Sequence, residues 1–139
     1  MQLCNILIAD DDADDVSILE DAIKDLHAHT ILAYVENGRA ALELLNKHYA
    51  AGHVPNLIVL DINMPKMNGA ETLNAIKMDE RFKHIPVVIY STSINPVEKD
   101  RCLSLGAHSY MIKPSSLKES LTTAKAFIEL CELPENTGK

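Results

Sequence analysis

Five short segments rich in aliphatic or aromatic side chains recur along the chain, each bounded by polar or turn-forming residues. They cover residues 3–9, 30–35, 57–60, 87–90 and 108–112. Most of them are dominated by Ile, Leu and Val, and their lengths of four to seven residues are typical of strands buried on both faces. We therefore predict five β-strands.

Between and after these strands, apolar residues recur every three or four positions, which is the spacing of one face of an amphipathic helix. The clearest helical segments are residues 13–27, 40–49 and 96–105. Pro96 suits the first turn of its helix and Gly106 the end, and Ser115 or Ser116 can cap the last helix. The predicted buried faces of the first, third and fifth helices are Val16, Leu19, Ile23 and Leu26; Ala70, Leu73 and Ile76; and Leu117, Leu121, Ala124 and Ile128.

A strand followed by a helix, repeated five times, predicts an α/β fold. The expected architecture is a (βα)5 doubly wound, five-stranded parallel sheet with helices on both faces. We place one domain at residues 1–131 and a polar tail at 132–139. The length of 139 residues suits a single domain, and the apolar fraction of 47% is sufficient for a core. Aromatic residues make up 4% of the chain, so this core must be mainly aliphatic.

The formal net charge of −7 is concentrated near the start, where residues 1–36 hold nine acids and one base. Such a chain lacks the basic surface that nucleic-acid binding requires. Cys4, Cys102 and Cys131 are widely separated, with no CxxC pair, which argues against a disulfide framework and against a thiolate metal site. We find neither a signal-peptide pattern nor an apolar run that could span a bilayer, and so expect a cytoplasmic protein.

Polar side chains follow four of the five predicted strands. Asp10 and Asp11 follow the first strand, Asp61 the third, Ser91 the fourth and Lys113 the fifth. In open parallel sheets, ligands bind at the carboxyl ends of the strands. Each residue taken alone is equally consistent with a turn, a helix cap or a solvated patch, but together they favour a site.

These side chains have complementary chemistry. Crowded carboxylates repel one another unless a cation neutralises them, and oxygen ligands without His or Cys favour Mg²⁺. A metal ion that keeps open positions attracts an anion such as phosphate, whose oxygens a lysine and a hydroxyl can also bind. The set therefore indicates phosphoryl transfer, in which positioning and charge neutralisation do most of the work.

Four motifs at these strand ends resemble those of the receiver domains of two-component response regulators, over about residues 3–131. The motifs are ILIADDD at 6–12, LDINMPKMNG at 60–69, VVIYSTS at 87–93 and SYMIKP at 109–114. The resemblance implies a flavodoxin-like sheet with strand order 2-1-3-4-5. The stretch DDDADDVSILEDAI is also similar to the stand-alone receivers that partner phytochrome-type and other hybrid kinases.

The resemblance implies a role for each residue of the site. Asp61 would be the phosphoacceptor, which takes a phosphoryl group from a phosphohistidine of a sensor or hybrid histidine kinase. Asp10, Asp11 and Asp61, with the backbone carbonyl of Asn63, would hold Mg²⁺, and Asp11 would be the direct ligand of the acidic pair. We expect Asp61 to be ionised at neutral pH and to need no general base.

The resemblance also implies a conformational switch. Ser91 and Tyr110 would be the switch residues, and Lys113 would contact the phosphoryl group, with a cis peptide bond to Pro114. The face formed by the fourth helix, the fifth strand and the fifth helix would then change. This face would signal to a protein partner or pair two copies of the chain. The phosphoryl group could instead pass to a histidine phosphotransfer protein.

Three alternatives differ from this non-enzymatic signalling role. A Mg²⁺-dependent phosphatase of the haloacid dehalogenase type typically has a second Asp two residues after the nucleophile, where this chain has Asn63. A receiver-like scaffold could bind partners without being phosphorylated. A transcription factor of this family would carry a DNA-binding domain after the receiver, whereas eight residues follow Cys131.

Overall fold

The computed structural model describes residues 4–132, in which five strands alternate with five helices. The strands are β1 (Asn5–Ala9), β2 (Ile31–Val35), β3 (Leu57–Asp61), β4 (Val87–Ser91) and β5 (Ser109–Ile112). The helices are α1 (Ala13–Leu26), α2 (Gly38–Ala50), α3 (Gly69–Lys77), α4 (Pro96–Ser104) and α5 (Leu117–Cys131). Residues 1–3 of the predicted domain and 133–139 of the predicted tail lie outside the described residues.

The five strands form one parallel sheet in the order β2-β1-β3-β4-β5. The predicted fold class and strand order are therefore confirmed. In this order β1 and β3 are neighbours at the centre, and the chain leaves them in opposite directions. The crevice at such a switch point, beyond the carboxyl ends of the strands, is where this class of sheet binds ligands.

A hydrophobic core covers each face of the sheet. Along β1, Ile6 and Ile8 face the core formed with α1 and α5, whereas Leu7 and Ala9 face the core formed with α2, α3 and α4. This alternation follows from the two-residue period of a strand. Burial on both faces explains why the strands are continuous apolar runs. Within residues 4–132, no helix has both the length and the apolar character that a membrane span requires.

Each helix among the described residues begins with a polar side chain that accepts hydrogen bonds from the backbone of the first turn. The capping residues are Asp12, Asn37, Asn68, Asn95 and Ser116. The predicted Ser116 cap and the predicted position of Pro96 in the first turn of α4 are confirmed. Because the caps fix where each helix starts, they also fix the loops that carry the chemistry.

Two predicted core residues are exposed. Leu26 is 49% exposed at the end of α1, and Leu117 is 72% exposed as the first residue of α5. Both are terminal residues of their helices, where no neighbouring element covers the side chain. The buried face of α5 instead includes two hydroxyl residues, Ser120 and Thr123. The Ser120 hydroxyl donates to the Ser116 carbonyl, so burying it leaves no unpaired polar group.

The prediction that the cysteines do not form a disulfide is wrong. Cys4, just before β1, is bonded to Cys131, the last residue of α5, across 127 positions of sequence. Both side chains are buried in the core under α1 and α5. The parallel fold brings these two distant segments together, which the sequence spacing of the cysteines does not reveal. Cys102 is a free, buried thiol on α4.

We predict that reduction of this disulfide lowers the thermal stability of the chain. A cross-link over so long a loop restricts the unfolded chain and contributes about 3 kcal/mol, which corresponds to roughly 10 °C in Tm. Calorimetry with and without reductant measures the effect. The double variant Cys4→Ala/Cys131→Ala is the control, since its Tm should not respond to reductant. An equal response of both proteins would contradict the prediction.

Candidate functional site

The parallel register places the two central aspartates side by side at the carboxyl edge of the sheet. Ala9 pairs with Leu60, so Asp10 and Asp61 follow on adjacent strands at the same level. Asp10 is 1% exposed and Asp61 7% exposed. The backbone of two adjacent buried strands thus holds the two carboxylates close together, and separating their backbone positions would distort the sheet.

Asp11 completes a cluster of three carboxylates. Oxygen atoms of Asp10, Asp11 and Asp61 all lie within 4.8 Å of one another. Asp11 is exposed, whereas the other two are buried, so the cluster faces solvent on one side. Like charges this close disfavour full ionisation unless a cation lies among them.

The cluster fits a divalent metal ion. One buried oxygen of Asp10, Oδ2, receives no hydrogen bond of good geometry among the described residues, although it lies 2.8 Å from Lys113 Nζ as an ion pair. A buried acceptor with spare capacity, next to two further carboxylates, is a donor set suited to a hard cation such as Mg²⁺ or Mn²⁺. The loop that carries Asn63 begins directly after Asp61, and Asn63 is exposed.

Lys113 is the cation that balances the cluster within the protein itself. Its ammonium lies 2.8 Å from Asp10 Oδ2, 2.9 Å from Asp15 Oδ2 and 3.8 Å from Asp61 Oδ1. Burial alone would lower the pKa of Lys113, but the short contacts to the carboxylates of Asp10 and Asp15 outweigh it and raise the pKa. The lysine is therefore charged at neutral pH.

The environment of Asp61 changes its titration. Burial, followed by repulsion from Asp10, raises the pKa of Asp61 to about 7, and the opposing attraction of Lys113 only partly offsets these effects. Without a metal ion, Asp61 is therefore partly protonated at neutral pH. The raised pKa argues against the expectation that Asp61 is fully ionised there in the metal-free site, because the motif does not show the combined effect of burial and the neighbouring Asp10 carboxylate.

The predicted switch residues lie on β4 and β5, the two strands beyond β3 in the sheet. Ser91 ends β4 and is 4% exposed, and its carbonyl accepts a 2.6 Å hydrogen bond from the Lys113 backbone. Tyr110 on β5 is 7% exposed, and its hydroxyl donates to the Ser93 carbonyl at 3.4 Å. The tyrosine is thus turned inward and holds the β4–α4 loop that follows Ser91.

The loop after Asp61 is shaped by close backbone contacts. A side chain at Gly69 would overlap the Asp61 carbonyl, and the Gly69 amide donates to the Ile62 carbonyl at 3.0 Å. Lys66 adopts a left-handed backbone with φ of 67°, which is uncommon for residues with a side chain. These contacts hold the turn containing Asn63 against the end of β3.

The predicted cis bond between Lys113 and Pro114 is wrong. No peptide bond is cis among residues 4–132, so this bond is trans, the form that ordinary X–Pro bonds favour.

Sequence reasoning missed Asp15, which it treated as one member of a general acidic segment. Asp15 lies in the first turn of α1, and its carboxylate accepts a hydrogen bond from Lys113, 98 positions away. No local pattern in the sequence marks this contact. Asp12 caps α1, because its side chain accepts hydrogen bonds from the amides of Asp14 and Asp15.

Residues 6–125 match the family described as the response regulator receiver domain. The chain belongs to this family. Receiver domains are signalling modules of two-component systems that accept a phosphoryl group and bind a divalent metal ion at an acidic pocket. The resemblance stated from the sequence is thereby confirmed.

Two curated relatives have a length similar to that of this receiver domain. It is 33% identical over 116 residues to response regulator Rcp1 of Synechocystis sp., covering 82% of this chain and 79% of Rcp1. It is 32% identical over 125 residues to the probable methanogenesis regulatory protein FilR2 of Methanothrix harundinacea, covering 89% and 81%. Of two longer relatives it spans 24% and 9%, so related domains also occur within larger proteins.

Solved structures agree with this assignment. The phosphorylated cyanobacterial phytochrome response regulator RcpA has a TM-score of 0.84 at 31% identity, over 92% of this chain and 93% of that chain. The Mn²⁺-bound form of Rcp1 has a TM-score of 0.78 at 30% identity, over 88% and 90%. One neighbour is thus phosphorylated and the other holds a divalent metal.

We predict that, in the absence of metal, the titration of Asp61 lowers the free energy of unfolding as the pH rises from about 4 to about 7. The unfolded carboxyl titrates near 3.8 and the folded one near 7, so in this range the folded state binds the extra proton. Asp61→Asn removes the charge. It should raise the free energy of unfolding at pH 8 by on the order of 1 kcal/mol, after allowance for solvent screening.

Urea unfolding in chelator at pH 8 and at pH 4.5 measures this difference. At pH 4.5 the substitution should have little effect, because Asp61 is already neutral in the folded state. Asp100→Asn, an exposed change on α4, is the matched control. A stabilisation by Asp61→Asn that is equal at both pH values would contradict the prediction.

Proposed function

We propose that Asp61 accepts a phosphoryl group from a phosphohistidine of a sensor or hybrid histidine kinase. The observation that carries this proposal is the position of Asp61, a buried strand-end carboxylate that shares a cluster with Asp10 and Asp11 and lies 3.8 Å from Lys113. In the reaction, the phosphorus–nitrogen bond of the donor breaks as a bond forms between phosphorus and an Asp61 oxygen. The imidazole leaves with the electron pair of the broken bond.

The site offers what this transfer requires. Asp10, Asp11 and Asp61, with the Asn63 carbonyl, would hold Mg²⁺, which supplies positive charge for the phosphoryl oxygens when bound. Lys113, beside Asp10 and Asp61, would add a second positive charge. Ser91, at the end of the next strand, would donate a hydrogen bond to a phosphoryl oxygen. The chain thus promotes its own phosphorylation and dephosphorylation and has no other substrate in this proposal.

Phosphorylation would act on the face formed by α4, β5 and α5. Movement of Ser91 toward the phosphoryl group would disturb the β4–α4 loop that the Tyr110 hydroxyl now holds through Ser93. The loss of that contact would free Tyr110 to rotate. The face already exposes several apolar side chains that a partner can cover, namely Val97, Leu103, Ile112 and Leu117.

The proposed partners follow from this chemistry. The kinase supplies the phosphoryl group, and the exposed apolar side chains of the switch face suit a protein partner or a second copy of the chain. A histidine phosphotransfer protein is a further acceptor if the chain acts in a phosphorelay. Gel filtration with and without beryllofluoride separates pairing of two copies from binding to another protein.

We also propose that the chain acts in the cytoplasm, on the side of the membrane where kinases are supplied with ATP. The Cys4–Cys131 disulfide argues against this compartment, because disulfides are rare in reducing compartments such as the cytoplasm. Fractionation of cells decides the compartment, and alkylation of thiols before lysis decides whether the two cysteines are reduced there.

We predict that radiolabel from acetyl phosphate, an acyl phosphate donor, enters the chain at Asp61 and requires Mg²⁺. Asp61→Asn should reduce the label to background because the amide cannot form the acyl phosphate, and chelation of metal should do the same in the unaltered chain. Asp100→Asn, which removes an exposed carboxylate elsewhere, should take up label normally. Undiminished labelling of Asp61→Asn would exclude Asp61 as the acceptor.

We predict that Ser91→Ala separates phosphorylation from the switch. With Mg²⁺ and beryllofluoride, NMR signals of Tyr110, Val97 and Leu117 should shift in the unaltered chain. In Ser91→Ala these shifts should be less than about half as large, since the hydroxyl that follows the bound group is absent. Ser17→Ala, an exposed change on α1, should behave as the unaltered chain does. Full shifts in Ser91→Ala would refute the coupling.

A further inference from the structure

Lys113 forms short contacts with the carboxylates of Asp10 and Asp15 and none with that of Asp61. Its ammonium donates to Asp15 at 2.9 Å and lies 2.8 Å from Asp10, whereas the nearest Asp61 oxygen is 3.8 Å away. A hydrogen bond between charged groups is typically 2.7–2.9 Å long. The lysine is therefore bound to the two aspartates of the β1–α1 region and only adjacent to Asp61.

The two short contacts differ in how readily they can be broken. The Asp10 side chain is 1% exposed, so removing its partner leaves a buried charge uncompensated, which is strongly unfavourable. The Asp15 side chain is 36% exposed, and water can replace the lysine there. Asp15 also lies in the first turn of α1, where the helix dipole stabilises a negative charge in the absence of a partner.

The surroundings leave room for this exchange. A small cavity of about 20 Å³ lies between α1 and the β5–α5 loop, and both Asp15 and Lys113 line it. A volume of this size accommodates a water molecule, which can hydrate the Asp15 carboxylate when the lysine leaves. The other walls are formed by Ile18, Tyr90 and Pro114.

We propose that Asp15 is a positioning residue that holds Lys113 away from Asp61 in the resting state and releases it to the phosphoryl group. The proposal rests on the proposed function, because it assigns a regulatory role within the same site. The ammonium has three donors, of which Asp10 and Asp15 occupy two, and it lies 3.8 Å from Asp61. As it moves toward a phosphoryl oxygen on Asp61, the partly exposed contact to Asp15 is the one that breaks. Breaking the contact to Asp15 costs free energy, and this cost offsets part of the attraction between the lysine and the phosphoryl group.

Removing the charge of Asp15 should therefore strengthen binding of a phosphoryl analogue. An ion pair that is partly exposed to solvent contributes a few tenths to 1 kcal/mol, so we expect Asp15→Asn to bind beryllofluoride roughly threefold more tightly in the presence of Mg²⁺. Asp15→Glu keeps the charge and should remain close to the affinity of the unaltered chain.

Isothermal titration calorimetry with beryllofluoride and saturating Mg²⁺ measures these affinities in the full chain. Asp14→Asn is the matched control, since Asp14 lies in the same helical turn, is exposed, and loses the same charge. Any gain that Asp14→Asn shows reports the general loss of negative charge near an anion. The gain in Asp15→Asn should exceed it.

A second comparison separates the proposed role from a structural one. In a Lys113→Ala background, the gain from Asp15→Asn should fall to that of Asp14→Asn, because there is no lysine to release. An affinity in Asp15→Asn that is unchanged, lower, or raised equally in the Lys113→Ala background would overturn the inference while leaving the proposed function intact. Failure of the unaltered chain to bind beryllofluoride at all would overturn the proposed function and this inference together.

Discussion

The repulsion among carboxylates at one edge of the sheet is the constraint on which the rest of the structure depends. Asp10, Asp11 and Asp61 have oxygen atoms within 4.8 Å of one another, and Lys113 is the cation that the chain places against them. Such a cluster separates unless rigid elements hold it. Two hydrophobic cores, one on each face of the sheet, provide that rigidity by burying β1 and β3 completely apart from their ends.

The scaffold and the site therefore have opposite requirements, which the topology reconciles. The strands contribute mainly aliphatic side chains, and a polar residue stands at or just after the carboxyl end of four of them, namely Asp10, Asp61, Ser91 and Lys113. The residue that caps each helix also fixes the end of the loop between that helix and the preceding strand. Asp12 caps α1 and accepts a hydrogen bond from the amide of Asp15, whose carboxylate accepts one from Lys113. The raised pKa of Asp61 is the electrostatic consequence of this arrangement, and a bound metal ion would relieve it.

Much of the fold and of the candidate site could be predicted from the sequence, because the strands are continuous apolar runs and the site residues follow their carboxyl ends. The motif residues Asp10, Asp61, Ser91 and Lys113 lie at one edge as expected. What could not be predicted depends on distance in three dimensions. The contact between Asp15 and Lys113, the bond between Cys4 and Cys131, and the exposure of Leu117 arise from the packing of α1 and α5 on the sheet, which no local pattern encodes.

The bond between Cys4 and Cys131 has a mechanical consequence for α5. It anchors the last residue of the helix to the start of β1, at the end of the sheet opposite to the edge that carries Asp61. A helix of 15 residues is about 22 Å long, so a tilt about this covalent pivot moves its first turn furthest. Only Ser115 and Ser116 separate that turn from Pro114, so the end of α5 that such a tilt would displace most is the end next to Lys113 in sequence.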